Sequence, residues 1–345
     1  MADPVTTVLR TRESKLVARI SAAVPSTGVR AKRTGLRLGI GDDAALLAPR
    51  PGFDVVVSSD FFVEDAHFIA RLHPPESVGY KSLVRAVSDL SAMGAEPGYF
   101  LLNLALPSRK TGAWLDGYVK GLGDAARKSR ILLIGGDLSR SEKVSIAITV
   151  IGYAKAGRAM RRSGARPGDL IYVSGRLGGA RLGLDILLKH HGAVAGAGRL
   201  LAPHLYPPLR LDLGEWISRE RIASAMMDIS DGLSIDLGRL CEASRAGAVI
   251  EAGSIPRAAI SREWQERLRL APGAALEFAL HGGDDYELLM TVPPHHIHKL
   301  RRAPGRIPLT CIGKITRNRR MVLVNASGRT QPLLEKGWDH FSRHA

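Results

Sequence analysis

Aspartates recur at the ends of apolar runs: Asp42 and Asp43 in GIGDDAALL, Asp60 in VVVSSDFF, Asp89 in AVSDLSAMGAEP, Asp137 in LLIGGDLSR, and Asp228 and Asp231 in MMDISDGL. Most follow a β-branched run or a glycine pair, where a strand is expected to stop and a loop to begin. A single Asp in such a place usually caps a helix or a turn. Carboxylates gathered there repeatedly would repel one another unless cations sat between them. Hard divalent ions take oxygen ligands of this kind, and Mg²⁺ prefers one or two carboxylates plus phosphate oxygens. The pattern points to metal-assisted phosphate chemistry.

The usual signatures of phosphate binding do not account for it. Gly79-Tyr80-Lys81-Ser82 resembles the tail of a P-loop, but Pro74 stands where the upstream glycine belongs. Gly39-Ile40-Gly41 begins a dinucleotide fingerprint that stops at Ala44. The turn Gly175–Gly179 leaves two readings open, an anion site at a helix N-terminus or a tight turn. HExxH, paired CxxC and GxSxG are absent, and His295, His296 and His298 read as a polar loop without zinc spacing.

Strands alternating with helices must position these residues, which predicts an α/β (α+β) architecture. Phe53–Ser58 reads as a strand ending at Ser58-Ser59-Asp60. Val78–Met93 reads as a helix, because Leu83, Val84, Val87 and Leu90 share a face and Gly94 and Pro97 end it. This places Asp89 on a helix, between the small residues Ser88 and Ser91. Further strands are expected at Ile131–Ile134, Ser145–Tyr153, Leu170–Val173, Ala225–Ile229, Glu287–Val292, Leu309–Ile315 and Met321–Val324, with helices after Gly179 and from Leu233 to about Ala246. The polar, glycine- and arginine-rich stretch Gly157–Gly168 is the best boundary, giving domains 1–156 and 157–345.

The 345 residues are long enough for two such domains, and 45% hydrophobic with 24% charged residues describes a globular chain with a proper core. No run approaches the ~20 apolar residues of a membrane span, and MADPVTTVLRTRESK lacks a signal core. Cys241 and Cys311 lie in apolar patterns, as small buried hydrophobes suited to a reducing cytoplasm. The net charge of +16 raises nucleic acid as a partner. The basic residues are dispersed, however, and even the densest run, from Lys299 to Arg320, lacks interleaved aromatics. A solvated basic face that attracts anionic substrates fits better.

The motifs GIGDDAALL, SSDFFVEDAHF, GYKSLVRAVSDLSAMGAEP, IGGDLSR, RRSGARPGDLIYVSG, SAMMDISDGL, GGDDYELL and GWDHF occur in this order between about Leu38 and Phe341. Together they resemble the thiamine-monophosphate kinase family, within the ATP-binding superfamily that includes aminoimidazole ribonucleotide synthetase. SDLSAMGAEP and RRSGARPGDLIYVSG are close to diagnostic for this kinase. A selenophosphate synthetase would need a reactive Cys near the N-terminal glycine loop, and none is there.

The resemblance implies ATP-dependent phosphorylation of thiamine monophosphate to thiamine diphosphate. It implies several Mg²⁺ ions held by Asp43, Asp60, Asp89, Asp137, Asp228 and Asp231, with oxygen ligands from Ser58 and Ser59. It implies nucleotide contacts at Gly136, Asp137, Arg162 and Ser230, and substrate contacts at His67, Asp284 and Trp338. It also implies two α/β domains and a homodimer in which N-terminal domains share a β-barrel. The acceptor is already an anion and needs no general base; the task is bringing two polyanions into line, which metal ions and an arginine such as Arg162 solve electrostatically. Departures from the family pattern are Asp284 for the usual Glu, Leu138-Ser139 for Thr-Thr, Ala86 for Asn, and the bulky Phe61 and Phe62. The competing readings are another ATP-dependent member of the superfamily and a basic regulator that binds nucleotide or nucleic acid without catalysis.

Overall fold

The computed structural model describes residues 12–26, 35–192 and 196–338. Helix α1 (Arg12–Ala23) precedes two short paired strands, β1 (Leu36–Leu38) and β2 (Leu46–Leu47), which flank the GIGDD loop. The first sheet has the order β3-β6-β4-β5. Its members are β3 (Phe53–Val63), β4 (Glu96–Leu106), β5 (Leu132–Arg140) and β6 (Ser145–Lys155). Helices α2 (Pro75–Ala92) and α3 (Ala113–Ser129) connect these strands. Their apolar residues join the sheet's inner face in one core around Leu83, Val87, Leu122, Ile146 and Ile148.

Residues 156–169 lead into a seven-stranded sheet of order β13-β12-β9-β11-β7-β10-β8. It comprises β7 (Leu170–Ser174), β8 (Ala225–Ile229), β9 (Gly247–Glu251), β10 (Glu287–Val292), β11 (Leu309–Thr316), β12 (Met321–Val324) and β13 (Thr330–Pro332). Helices α4 (Gly179–His190), α5 (Gly198–Leu205), α6 (Leu211–Arg219), α7 (Leu233–Ser244), α8 (Arg262–Leu268) and α9 (Ala274–His281) surround it. The architecture is the mixed α/β arrangement expected from the sequence.

Several boundaries differ from those expected, and one matters for the site. Strand β3 does not stop at Ser58; it stays in register with β6 as far as Val63↔Ser145. Asp60 therefore lies inside a strand, as do Asp137 in β5 and Asp228 in β8. Period-2 alternation then sends Val56, Ser58, Asp60 and Phe62 to the inner face and Val55, Val57, Ser59 and Phe61 to the outer one. Burial follows suit: Phe62 is 2% exposed and Phe61 67%. The three histidines expected in a loop lie in a 3₁₀ stretch, Pro294–Arg302. Cys241 is buried as expected, whereas Cys311 is only half-buried; neither is in a disulfide.

Helix α2 is the central element. Proline at its first turn sets the starting φ, and Gly94, at φ 63°, lets the chain turn away after it. The apolar face expected from Leu83, Val84, Val87 and Leu90 is fully buried. The rest of the helix is covered too, because it packs against α3, the first sheet, α6 and β8. Against α3 the backbones nearly touch. A Cβ at Gly79 would stand 1.9 Å from the Tyr118 carbonyl oxygen, and one at Gly121 would stand 1.8 Å from that of Glu76.

Gly79→Ala should therefore force α2 and α3 apart and lower unfolding stability by about 1–3 kcal/mol or more, the usual cost of overpacking. Urea denaturation checks this; a midpoint equal to that of the parent chain would mean the contact yields without cost.

Candidate active site between the two sheets

On α2, the side chains of Lys81, Arg85, Ser88 and Asp89 recur at helical spacing and form one polar stripe. The stripe faces β3 on one side and the C-terminal sheet on the other. Ser58 on β3 donates a hydrogen bond to Asp89 Oδ2. Ser88 donates to Asp228 Oδ2 across the gap to β8 at 2.6 Å. Lys81, only 2% exposed, pairs with Asp284 Oδ2 at 2.7 Å.

The acids of this cluster are strained electrostatically. Burial, and then the charge of Asp228, push Asp89 up to about 6, although the Ser58 hydroxyl and the Arg162 and Arg85 charges pull the other way. Burial pushes Asp228 up to about 6 as well, against the Ser88 hydrogen bond and with the charges of Asp236 and Asp60. Asp60 is raised by burial, opposed by Arg85 and reinforced by Asp89 and Asp231. Asp60, Asp89 and Asp228 thus share one desolvated region; Asp231 is close enough for Asp60 to feel its charge, and Arg162 for Asp89.

Local structure fixes the C-terminal members. Asp236, in the first turn of α7, accepts backbone N–H bonds from Ser230, Asp231 and Gly232 at 3.0, 3.0 and 3.2 Å, shaping the SDG turn. Arg239 pairs with Asp231 and Asp236 at 2.5 and 2.9 Å. The GGDDY loop is held by the Asp284 N–H on the Ser230 carbonyl at 2.7 Å and the Tyr286 N–H on that of Ile229 at 2.8 Å. Both residues are in the left-handed region, Asp284 at φ 59° and Tyr286 at φ 50°, where non-glycine residues are uncommon. Burial alone would raise Asp284, but the neighbouring Lys81 and Arg85 charges hold its carboxyl well below the usual range. Tyr286 also donates to it at 2.7 Å. Behind Lys81 lie His73 and His204, whose Nε2 atoms are 3.0 Å apart. Burial keeps His73 down at about 4 and His204 lower than an ordinary histidine, so both rings are neutral.

The sequence-expected residues do not all meet here. Ser58, Asp60, Asp89, Asp228, Asp231, Ser230 and Arg162 belong to the cluster. Ser59 is on the other face of β3, bonded to Thr149 Oγ1 at 2.9 Å. Asp43, Gly136 and Asp137 line an open cavity of about 660 Å³, with Glu13 and Val17 of α1 on its wall. Asp137 occupies the outer-face row Phe61–Ala147–Asn103–Asp137. Gly136, at φ 145°, has a backbone reason to be glycine: a Cβ would stand 1.8 Å from the Leu102 carbonyl oxygen. His67 packs on Phe62 with ring centroids 5.7 Å apart, and its Nδ1 accepts the Val63 N–H at 3.0 Å. Trp338 is half-exposed, its backbone N–H donating to the Asp231 carbonyl at 3.2 Å. The open question at Gly175–Gly179 is answered by Asp285, whose carboxyl oxygen accepts the Gly178 N–H at 2.8 Å. The N-terminus of α4 is thus taken up by the protein's own Asp285 side chain, whose carboxyl is pushed up to about 8 by burial, and is a structural turn.

Lys81, Arg85, Ser88, Asp236 and Tyr286 carry no site role in the sequence motifs. For the first three a signal existed: they precede Asp89 by eight, four and one residues, the spacing of one helix face. The apolar stripe of Leu83, Val84, Val87 and Leu90 beside them carries the stronger periodic signal.

Residues 41–154 match the AIR synthase related protein family, N-terminal domain, and residues 166–324 its C-terminal domain. The chain is 38% identical over 311 residues to a thiamine-monophosphate kinase of Synechococcus elongatus, covering 88% of this chain and 92% of the relative. It belongs to the thiamine-monophosphate kinase family. The thiamine-monophosphate kinase of Stenotrophomonas maltophilia, a solved structure, superposes with a TM-score of 0.78 at 35% identity, covering 89% of this chain and 95% of that one. AaThiL complexed with AMPPCP and TMP superposes with a TM-score of 0.74 at 30% identity, covering 90% and 94%. The thiamine-monophosphate kinase family thus accounts for both sheets and for the helix between them.

The raised carboxyls give a pH signature. Asp89 and Asp228 ionise at about 6 when folded, against 3.8 ordinarily. Between these values the unfolded chain binds fewer protons, so their contribution to stability is lost as pH rises through the folded values. With chelator present, Asp228→Asn should flatten the fall in melting temperature across this window relative to the parent chain. Identical slopes in the two proteins, followed by calorimetry, would show that Asp228 carries no such strain.

Proposed function

We propose that this chain transfers the γ-phosphoryl group of ATP to the phosphate of thiamine monophosphate, giving thiamine diphosphate and ADP. The observation that carries the reading is the fold shared, at 30% identity over most of both chains, with AaThiL complexed with AMPPCP and TMP. The site chemistry supports it. A phosphate oxygen of the acceptor attacks the γ-phosphorus while the bond to the ADP oxygen breaks; the nucleophile is already ionised, so the transfer needs no general base.

Among the described residues no three His, Cys, Asp or Glu side chains converge closely enough to hold an ion as they stand. The donor set nevertheless fits Mg²⁺, being all oxygen, and burial leaves Asp60, Asp89 and Asp228 reluctant to ionise without a cation. Asp60, Asp89, Asp228 and Asp231, with the Ser58 hydroxyl, would hold such ions, which when bound neutralise phosphate charge. Arg162 would add a guanidinium on the nucleotide side, and Ser230 a contact there. His67, Asp284 and Trp338 would face the acceptor. Asp43, Gly136 and Asp137 would reach the nucleotide from the cavity beside α1, and Ser59 would need the outer face of β3 to join a site. Two domains divided near residue 157 would then enclose the substrates between the sheets.

We also propose that the chain is a homodimer. The outer face of the first sheet leaves Val55, Val57 and Phe61 59%, 61% and 67% exposed, an apolar surface that a second copy would cover. Among the described residues no helix is long and apolar enough to cross a membrane. The free thiols of Cys241 and Cys311 suit a reducing compartment and support a cytoplasmic enzyme.

Incubation with MgATP and thiamine monophosphate should yield thiamine diphosphate and ADP in equal amounts by chromatography. Asp89→Asn should cut kcat by about 100-fold or more without unfolding the chain, the scale of a lost metal interaction. Turnover of the variant near that of the parent would remove Asp89 from the reaction. Phe61→Glu should shift the mass seen by light scattering from a dimer to the 37.1 kDa monomer.

A further inference from the structure

Arg85 is a cation whose bonds within the protein fall short of its capacity. A guanidinium is always charged and carries five N–H donors. This one is 15% exposed, on the stripe of α2 between Lys81 and Asp89. Among the described residues its nearest carboxylate oxygen is Asp284 Oδ1 at 3.8 Å, beyond hydrogen-bond range. Its Nε is buried without a partner. Asp284 has no need of it, being paired with Lys81 at 2.7 Å and bonded by Tyr286 at 2.7 Å. The guanidinium carbon is 5.1 Å from the centre of the Phe62 ring, a contact that holds the group in place. The positive charge of Arg85 faces Asp284, Asp60 and Asp231, of which Asp284 is already taken by Lys81. Asp60 and Asp231 feel that charge without taking a hydrogen bond from it.

We propose that Arg85 binds the phosphate of the acceptor, its Nε–H and one Nη–H donating to two phosphate oxygens. A desolvated guanidinium with unused donors is costly unless a ligand completes it, and its planar fork matches a phosphate bidentately. Its location selects the acceptor over the nucleotide. Phe62, which it faces, also packs on His67, and its neighbour is Asp284, whereas Arg162 bears on Asp89 from elsewhere. Arg85 is then the residue that distinguishes a phosphorylated acceptor from the bare alcohol. This inference rests on the acceptor proposed above.

The test compares thiamine monophosphate with thiamine as ligands, by titration calorimetry, in the parent chain and in Arg85→Met and Arg85→Lys. The parent should prefer the monophosphate. Arg85→Met should weaken monophosphate binding about 10–100-fold while thiamine binding and the KM for ATP stay within about twofold, as expected for lost charge-assisted bonds. Arg85→Lys should recover part of the preference, because an ammonium supplies charge without the fork. A merely structural arginine would weaken both ligands alike, and that result overturns the assignment; so does an unchanged preference in Arg85→Met. Should the Met variant melt below the assay temperature, the Lys variant decides: a preference equal to the parent's overturns the assignment, and a reduced one with thiamine binding intact supports it. A parent chain that neither turns over nor prefers the monophosphate overturns the functional reading and this inference with it. Parent turnover with an unchanged preference in the variants overturns the inference alone.

Discussion

Charge taken out of water must find opposite charge or hydrogen bonds close at hand, and the junction of the two sheets is organised by that demand. Helix α2 carries its cations, Lys81 and Arg85, into a gap lined by Asp60, Asp231 and Asp284. Breaking one partner of a buried pair costs about 3–5 kcal/mol, so the Lys81–Asp284 contact fixes the GGDDY loop more firmly than its left-handed backbone would otherwise permit. Ser88 and Ser58 complete the arrangement by donating to Asp228 and Asp89. The junction is therefore both the seam of the fold and the place where phosphate chemistry is proposed to occur.

The first sheet divides its labour between its faces. One side of β3 presents Ser58 and Asp60 to α2; the other presents Val55, Val57 and Phe61 outward. A single residue's slip in register would exchange the two sets. The unbroken pairing of β3 with β6 over its whole length guards against that.

Much of this was legible in the amino-acid sequence. Alternating strands and helices gave the architecture, and the buried face of α2 was read from Leu83, Val84, Val87 and Leu90. The cluster Asp60–Asp89–Asp228–Asp231 was named from residue type and setting. What could not be read was which strand face each residue occupies, because that depends on how far β3 pairs with β6. Ser58 and Ser59 are equivalent as text and opposite in space. Asp285, beside Asp284, caps α4 while its neighbour joins an ion pair, since only the turn of the loop tells them apart. Asp236 and Arg239 support the SDG turn through local bonds that leave no motif. The departure at Asp284, a shorter acid than the family's usual Glu, proved to be met by a buried lysine on a helix two hundred residues earlier in the chain.

The covering of α2 on nearly every side bears on modularity. Two sheets with separate cores suggest halves that could be exchanged, excised or fused to other partners. An isolated N-terminal half would instead turn the face of α2 bearing Lys81 and Ser88 to solvent without Asp284 and Asp228, and would lose the packing of α6 and β8. An isolated C-terminal half would keep Asp284 in a left-handed loop with no cation to hold it there. Each half is thus matched to the particular charges of the other, and chimaeras between distant relatives should inherit the helix and the GGDDY loop as a pair.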